Sequence, residues 1–223
     1  MPTCDSQTHR IRPFRRSDRS AVREICIATA WLGRPAGRHI PDEWIWAEYW
    51  TRYFTDRQPQ HAWVVERRAD GRVVGYLTGT PDVRRFGRYV PFLLPGIVLR
   101  VIRKRLLRRP VSRRAILCLL RSLAAGEMRL PARVAQRYPA AFHMNLLPEA
   151  RRRGLGARLF ETFRDRMRCL GVGGIHAQTL SLNEPIQRFC RRAGFRLLAA
   201  TALHAFRHTD PEPMHLLTWL LPL

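Results

Sequence analysis

The sequence predicts an α/β or α+β domain in which strands alternate with helices. Three observations predict it. Hydrophobic residues make up 46% of the 223 positions, with six Trp and ten Phe, which is enough apolar surface to bury a core. The length suits one domain, or one domain carrying a large insertion. Runs rich in β-formers and runs with helical spacing succeed one another, which implies crossover connections.

The first 81 residues read β-α-α-β-β. Ile11 and Pro13, flanked by arginines, mark a short strand. Ser17 is placed to cap a helix over 20–31, where Val22, Ile25, Cys26 and Thr29 fall near helical spacing. Gly33 and Gly37 break it. Pro41 and Asp42 open a second helix over 43–54 that carries Trp44, Trp46, Tyr49, Trp50, Tyr53 and Phe54. Such an aromatic helix either packs the core or lines a substrate cleft. Residues 61–66 and 72–80 are β-rich, and Ala69-Asp70-Gly71 between them suits a hairpin turn. Farther on, 140–147 is an apolar strand ended by Pro148. Residues 154–171 form a helix with Leu155, Leu159, Phe160, Phe163 and Met167 on one side. A strand over 174–181, a helix over 183–192 and strands over 195–205 and 214–221 complete the pattern.

The formal net charge is +23, and Lys104 is the one lysine among 40 basic residues. That ratio suggests an arginine-rich coding background, so charge alone does not establish nucleic-acid binding. The charge is unevenly spread. Residues 82–137 hold fifteen basic residues against two acidic ones, Asp82 and Glu127. Within them Ile97, Val98, Val101, Ile102, Leu106 and Leu107 alternate with basic residues as a basic amphipathic helix, and a second follows Pro110 over 112–125. Over 97–125 this pattern suits a membrane surface, a nucleic acid or a partner protein, or a docked helix with a solvated arginine face.

Five cysteines (Cys4, Cys26, Cys118, Cys169 and Cys190) form no CxxC pair, so free thiols are expected and a metal site is not. Residues 1–16 are polar and hold no apolar core of a signal peptide. The longest apolar run, 90–99, contains two prolines and falls short of the ~20 residues a bilayer span needs. A cytoplasmic protein is expected.

The chemistry is concentrated after residue 145. Leu146-Leu147-Pro148-Glu149-Ala150-Arg151-Arg152-Arg153-Gly154-Leu155-Gly156-Ala157-Arg158 is a strand end, an arginine-rich turn and a helix start. The first turn of a helix has backbone N–H groups without partners, and the helix dipole adds positive charge there. Glycines at 154 and 156 let a phosphate approach that backbone, and arginines add forked donors. The pattern suits a pyrophosphate. No Gly-Lys-Ser/Thr follows, so it is not a Walker loop, and the third glycine of a dinucleotide fingerprint is missing.

Arg151-x-x-Gly154-x-Gly156 after Leu-Leu-Pro resembles the acyl-CoA-binding motif of the GNAT acetyltransferase superfamily. Asn183, Phe189, Cys190, Gly194 and Phe195, about thirty residues later, resemble that superfamily's second signature, so the strong likeness covers 139–198. Residues 61–80 look like the fold's second and third strands. Residues 138–148 are also similar to the branch that includes the acetyltransferase-like domain of O-GlcNAcases. The resemblance implies a central mixed, mostly antiparallel sheet flanked by helices. Residues 82–137 are then a basic helical insertion between the third and fourth strands of a single domain, 1–223.

The resemblance also implies an activity: acyl transfer from acetyl-CoA, or another acyl-CoA, directly to the amine of a small molecule or protein, with no acyl-enzyme and no metal. The pantetheine arm would lie where two strands splay near 145–148, pairing with backbone at Leu146 and Leu147. A backbone N–H near Leu146 would stabilise the oxyanion. The pyrophosphate would sit on the amides of 153–158 (Arg153, Gly154, Leu155, Gly156, Ala157, Arg158), with Arg151, Arg152, Asn183 and Phe189 completing the cofactor site. His143 and Asn145, two apart on one strand face, and His176 on a neighbouring strand are the candidate catalytic groups for the acceptor side. Asp82 and Glu43 are candidates to hold a cationic acceptor. The family's usual tyrosine acid is replaced by Cys190, a shorter and weaker acid or a structural thiol. That departure leaves a non-catalytic GNAT-like binding module as the alternative to an enzyme, beside a membrane or nucleic-acid binder acting through 97–125.

Overall fold

The computed structural model describes residues 8–209, 212 and 214–223, so Cys4 lies outside the described residues. Seven strands form one sheet in the order β1 (His9–Pro13), β2 (Ala62–Arg67), β3 (Val73–Thr80), β4 (Ala140–Leu146), β5 (Gly174–Leu180), β7 (Met214–Pro222) and β6 (Arg196–Leu203). Every neighbouring pair is antiparallel except β4 and β5. The mixed, mostly antiparallel sheet is therefore the one expected. The helices are α1 (Arg19–Ala28), α2 (Glu43–Arg57), α3 (Val83–Arg103), α4 (Pro110–Ala124), α5 (Ala132–Arg137), α6 (Leu155–Cys169) and α7 (Glu184–Arg192).

Residues of β3 are buried along its whole length, because helices cover both sides. On one side Tyr76 is fully buried in the core shared with Val22, Ile25 and Cys26 of α1. On the other Phe163 of α6 lies so close to Gly79 that a Cβ there would stand 2.3 Å from its ring. Positions 76 and 79 differ in parity, and odd and even strand positions face opposite ways. The predicted stripe of α6, Leu155, Leu159, Phe160, Phe163 and Met167, is fully buried in this core.

Element boundaries differ from expectation in three places, each for a local reason. Asp18 rather than Ser17 precedes α1. Its carboxylate accepts from the Arg15 amide at 2.7 Å and from both terminal nitrogens of Arg12 at 2.7 and 2.8 Å, charge-assisted bonds that a serine hydroxyl cannot match. The α3 helix starts at Val83, capped by Asp82, and runs straight through Pro91 and Pro95. Both prolines are exposed, so water can satisfy the carbonyls of Gly87 and Pro91 that lose their donors. Arg105, with φ of 50°, ends the basic helix before Arg109.

Candidate active site

The site grows from the place where β4 and β5 part. They pair only at Ala140 with Ile175 and Ala141 with His176. From Phe142 onward β4 keeps β3 on one side, and β5 keeps β7. The vertex is stitched from below. The Tyr138 carbonyl accepts from His176 Nδ1 at 2.7 Å, and a Cβ on Gly174 would stand 2.3 Å from the Tyr138 ring.

Backbone direction along β4 follows from one bond. The Leu147 amide donates to Val74 O at 2.9 Å, so residues 147, 145 and 143 turn their N–H and C=O groups toward β3. Leu146, Met144 and Phe142 then turn theirs into the open gap. Arg151 Nε donates to the Leu146 carbonyl at 2.9 Å, which leaves the Leu146 N–H as the group aimed into the splay. The Leu147 amide is spent on β3 and its carbonyl accepts from Ala150, so of the two leucines Leu146 is the one with an open N–H.

Beyond β4 the chain turns through Arg152, φ 59°, and Gly154, φ 73°, into α6. The left-handed conformation at 154 favours glycine. The amides of Leu155, Gly156 and Ala157 donate to no carbonyl among the described residues, whereas the Arg158 amide is committed to Gly154 O at 3.1 Å. A Cβ on Gly156 would meet Leu146 and Met144 at ordinary contact distances of 3.5 and 3.6 Å. Packing therefore does not require that glycine, and its bare backbone suits a ligand's close approach.

The arginines divide. Arg152 and Arg153 are exposed beside the turn. Arg151 is not a free phosphate ligand: besides Leu146 O, it donates to Gly33 O at 2.6 Å and ties the α1–α2 connection to the end of β4. The Arg158 side chain lines a groove with Trp63 and Glu161.

On the other face of β4, His143 and Asn145 do come together. Asn145 Nδ2 lies 3.1 Å from the Tyr76 hydroxyl, and His143 Nδ1 lies 3.1 Å from the same oxygen. Trp50 of α2 stacks on His143, with Tyr49 and Trp46 packed against Trp50. Burial pushes the imidazole down to about 4, so it is neutral at physiological pH. Tyr76 is the member of this cluster that sequence reasoning missed, whereas Trp50 lies on the aromatic helix expected to pack the core or line a cleft. The alternation of residues 73–80 marked a strand, but no signal paired Tyr76 with Asn145.

Other candidates lie elsewhere. Cys190 is fully buried and its thiol is pushed up to about 12 by burial, which makes it a weaker acid than an ordinary thiol. His176 is buried and held by Tyr138. Asp82 caps α3 and pairs with Arg84, which lowers its pKa; Glu43 is exposed in the first turn of α2. Asn183 precedes α7 without a side-chain cap bond, and Phe189 packs edge-on against Phe160 at 5.5 Å.

Residues 127–195, from before α5 to beyond α7, match a family model described as the acetyltransferase (GNAT) family. The crystal structure of SsHAT is 31% identical to the chain, covers 96% of it and is itself covered to 98%, with a TM-score of 0.72. The chain belongs to the GNAT acetyltransferase family. This GNAT protein is an acetyl-CoA-dependent N-acetyltransferase, with acetyl-CoA as its co-substrate. Two more distant structures share the GNAT fold. The polyamine N-acetyltransferase of Drosophila melanogaster is 21% identical, with 96% of this chain and 100% of that one covered and a TM-score of 0.61. The yncA protein of Salmonella typhimurium, solved with its cofactor acetyl-CoA, is 17% identical, with coverages of 97% and 94% and a TM-score of 0.57.

Proposed function

We propose that this GNAT enzyme acetylates a neutral or weakly charged amine bound against Trp50 and His143, with acetyl-CoA held along the open edge of β4. One observation carries the reading: the Leu146 N–H aims into the splay, between the bare amides of α6 and the aromatic face around His143.

In this reading the pyrophosphate rests on the amides of Leu155, Gly156 and Ala157, with Arg152 and Arg153 adding charge. The pantetheine runs beside Met144 and Leu146. The Leu146 N–H donates to the thioester oxygen and stabilises the charge that grows there. The amine nitrogen attacks the carbonyl carbon, the C–S bond breaks, and its electron pair leaves on sulfur. In the tautomer this reading needs, the Tyr76 oxygen accepts from Asn145 Nδ2 and from His143 Nδ1–H. His143 Nε2 then keeps a lone pair for the proton that nitrogen loses, and that proton ends on the CoA thiolate. An imidazole with a pKa of about 4 cannot deprotonate an ammonium, so the acceptor must arrive as a free amine. Cys190 has no part in the chemistry.

The choice of acceptor follows from charge. Glu48, the buried carboxylate of α2, is spent on Arg23 and Arg52, and Asp42 on Arg100. With a net charge of +23, the protein repels a polycation such as the acceptors named for the Drosophila enzyme. We take 1–223 as one domain with 82–137 inserted in it, and place it in the cytoplasm on its free Cys26, Cys118, Cys169 and Cys190. The likeness of 138–148 to the O-GlcNAcase-linked branch is a proposal about descent; that stretch contributes His143 and Leu146 either way.

Calorimetric titration with acetyl-CoA, followed by CoA-thiol release with aryl- and alkylamines against polyamines, tests the reading. Turnover with the uncharged-side-chain amines is expected. A marked preference for polyamines would overturn the acceptor assignment, and failure to bind acetyl-CoA at millimolar concentration the whole reading.

A further inference from the structure

The segment between β3 and β4 is the least water-adapted surface of the molecule. Among the described residues, eleven of the fifteen exposed large hydrophobics lie between Phe92 and Leu123. On α3, Phe86, Leu93 and Arg100 recur every seven residues and form the docked face. Phe86 packs with Tyr53 and Phe54 of α2, Leu93 is buried, and Arg100 binds Asp42 at 2.8 Å and lies over Trp44. Leu94, Val98 and Ile102, four apart, form a second ridge that stays in water, Ile102 being 65% exposed. On α4, Leu117, Leu120 and Leu123, three apart, do the same at 55–59%. These helices do not have the solvated arginine face of an ordinary docked helix. Their free surface is apolar and cationic together.

The cations are unspent. Arg103, Arg105, Arg108, Arg109, Arg113 and Arg114 are exposed and make no ion pair among the described residues. The segment's two carboxylates are occupied, Asp82 by Arg84 and Glu127 by Ser122 and His204. The occupant must therefore be anionic and must also take up aliphatic side chains. A second copy of the chain would set fifteen basic residues against fifteen more. A nucleic acid would satisfy the arginines and leave the leucines in water.

We propose that α3 and α4 dock on an anionic phospholipid bilayer, with the Leu94–Val98–Ile102 and Leu117–Leu120–Leu123 ridges in the headgroup–acyl boundary and the arginines on the lipid phosphates. Arginine suits this position, since its stem covers apolar surface while its head reaches phosphate. No helix among the described residues is long and apolar enough to cross a membrane, so the docking is peripheral. The α3 helix packs on α2, which carries Trp50, so the acceptor side of the enzyme would be held near the lipid surface.

Cosedimentation of the full chain with vesicles of phosphatidylcholine, with and without phosphatidylglycerol, tests this. Binding to the anionic vesicles that weakens with salt, and little binding to phosphatidylcholine alone, is expected. Ile102→Asp with Leu120→Asp should reduce binding about tenfold or more, and Arg105→Gln with Arg109→Gln should reduce it similarly. All four positions are solvent-exposed, and an unchanged thermal melt and acetyl-CoA affinity would show that the variants are folded. No binding to anionic vesicles at low salt, or equal binding to both vesicles, overturns the proposal. So does duplex DNA binding that survives the aspartate variants while vesicle binding is absent. A concentration-dependent dimer that the aspartate variants split, again without vesicle binding, assigns the face to a second copy instead.

Discussion

Trp50 lies flat on His143, with ring centroids 4.9 Å apart and planes 18° apart. The stack joins α2 to β4 and covers one face of the half-buried imidazole. Desolvation of the charged form is what pushes this histidine down to about 4.

The first prediction concerns rate against pH. His143 stays neutral from pH 5 upward, so kcat/KM should rise only as the acceptor amine loses its proton, with no limb near 6.5. His143→Gln should lower kcat/KM by about 10²-fold without changing the shape of the profile. A limb near 6.5 in the wild type that vanishes in the variant would show that an ordinary, titrating imidazole does the work.

Stability against pH provides a second. The folded-state pKa of His143 lies below its unfolded value of 6.5. The unfolded chain therefore binds the proton first, and this site's contribution is intact above pH 6.5 and lost as pH falls toward 4. Urea unfolding at pH 7 and pH 4.5 should show a smaller loss of stability for His143→Gln than for the wild type. Equal losses would mean that the ring is hydrated.

Gly156 separates ligand from packing. Its added Cβ would sit 3.5 Å from Leu146, so Gly156→Ala should keep or raise Tm, alanine being the better helix former. The same methyl group covers the bare amides and should weaken acetyl-CoA about tenfold or more, or about 1.4 kcal/mol, by calorimetry. Unchanged affinity would move the pyrophosphate elsewhere.

Arg151 should behave as a structural clamp. Arg151→Leu strands the Leu146 and Gly33 carbonyls and should cost about 1–3 kcal/mol in urea unfolding. Arg153→Gln should leave stability within about 0.5 kcal/mol and raise the KM for acetyl-CoA. The reverse pattern would return Arg151 to the phosphates.

Cys190 completes the set. Cys190→Ala should keep kcat within about twofold, because a fully buried thiol held near 12 is a weaker acid than an ordinary thiol. A loss of activity in the alanine variant with an unchanged melting temperature would restore the thiol as the acid.

Much of this was legible in the chain. The α6 stripe from Leu155 to Met167, the Gly154–Gly156 turn and the order of strands are local patterns, and periodicity reads local patterns well. Partners were not legible. Arg151, Leu147 and Arg158 share a motif with Gly154 and Gly156, and a motif does not say which carbonyl each donor meets. The helix through Pro91 and Pro95 was hidden because proline breaks helices only where the lost bonds cannot be made to water.

By itself, then, the sequence determined the alternation of elements, the anion-ready start of α6 and the concentration of charge in 82–137, since each depends on residues near one another in the chain. Only the tertiary structure decided that β4 parts from β5 after Ala141, that the Leu146 N–H is left facing the gap, and that Trp50 and Tyr76 meet His143. It also decided that the Leu94–Val98–Ile102 and Leu117–Leu120–Leu123 ridges remain in water. Those outcomes depend on register and on which faces the core has room to bury, and neither is written in local spacing.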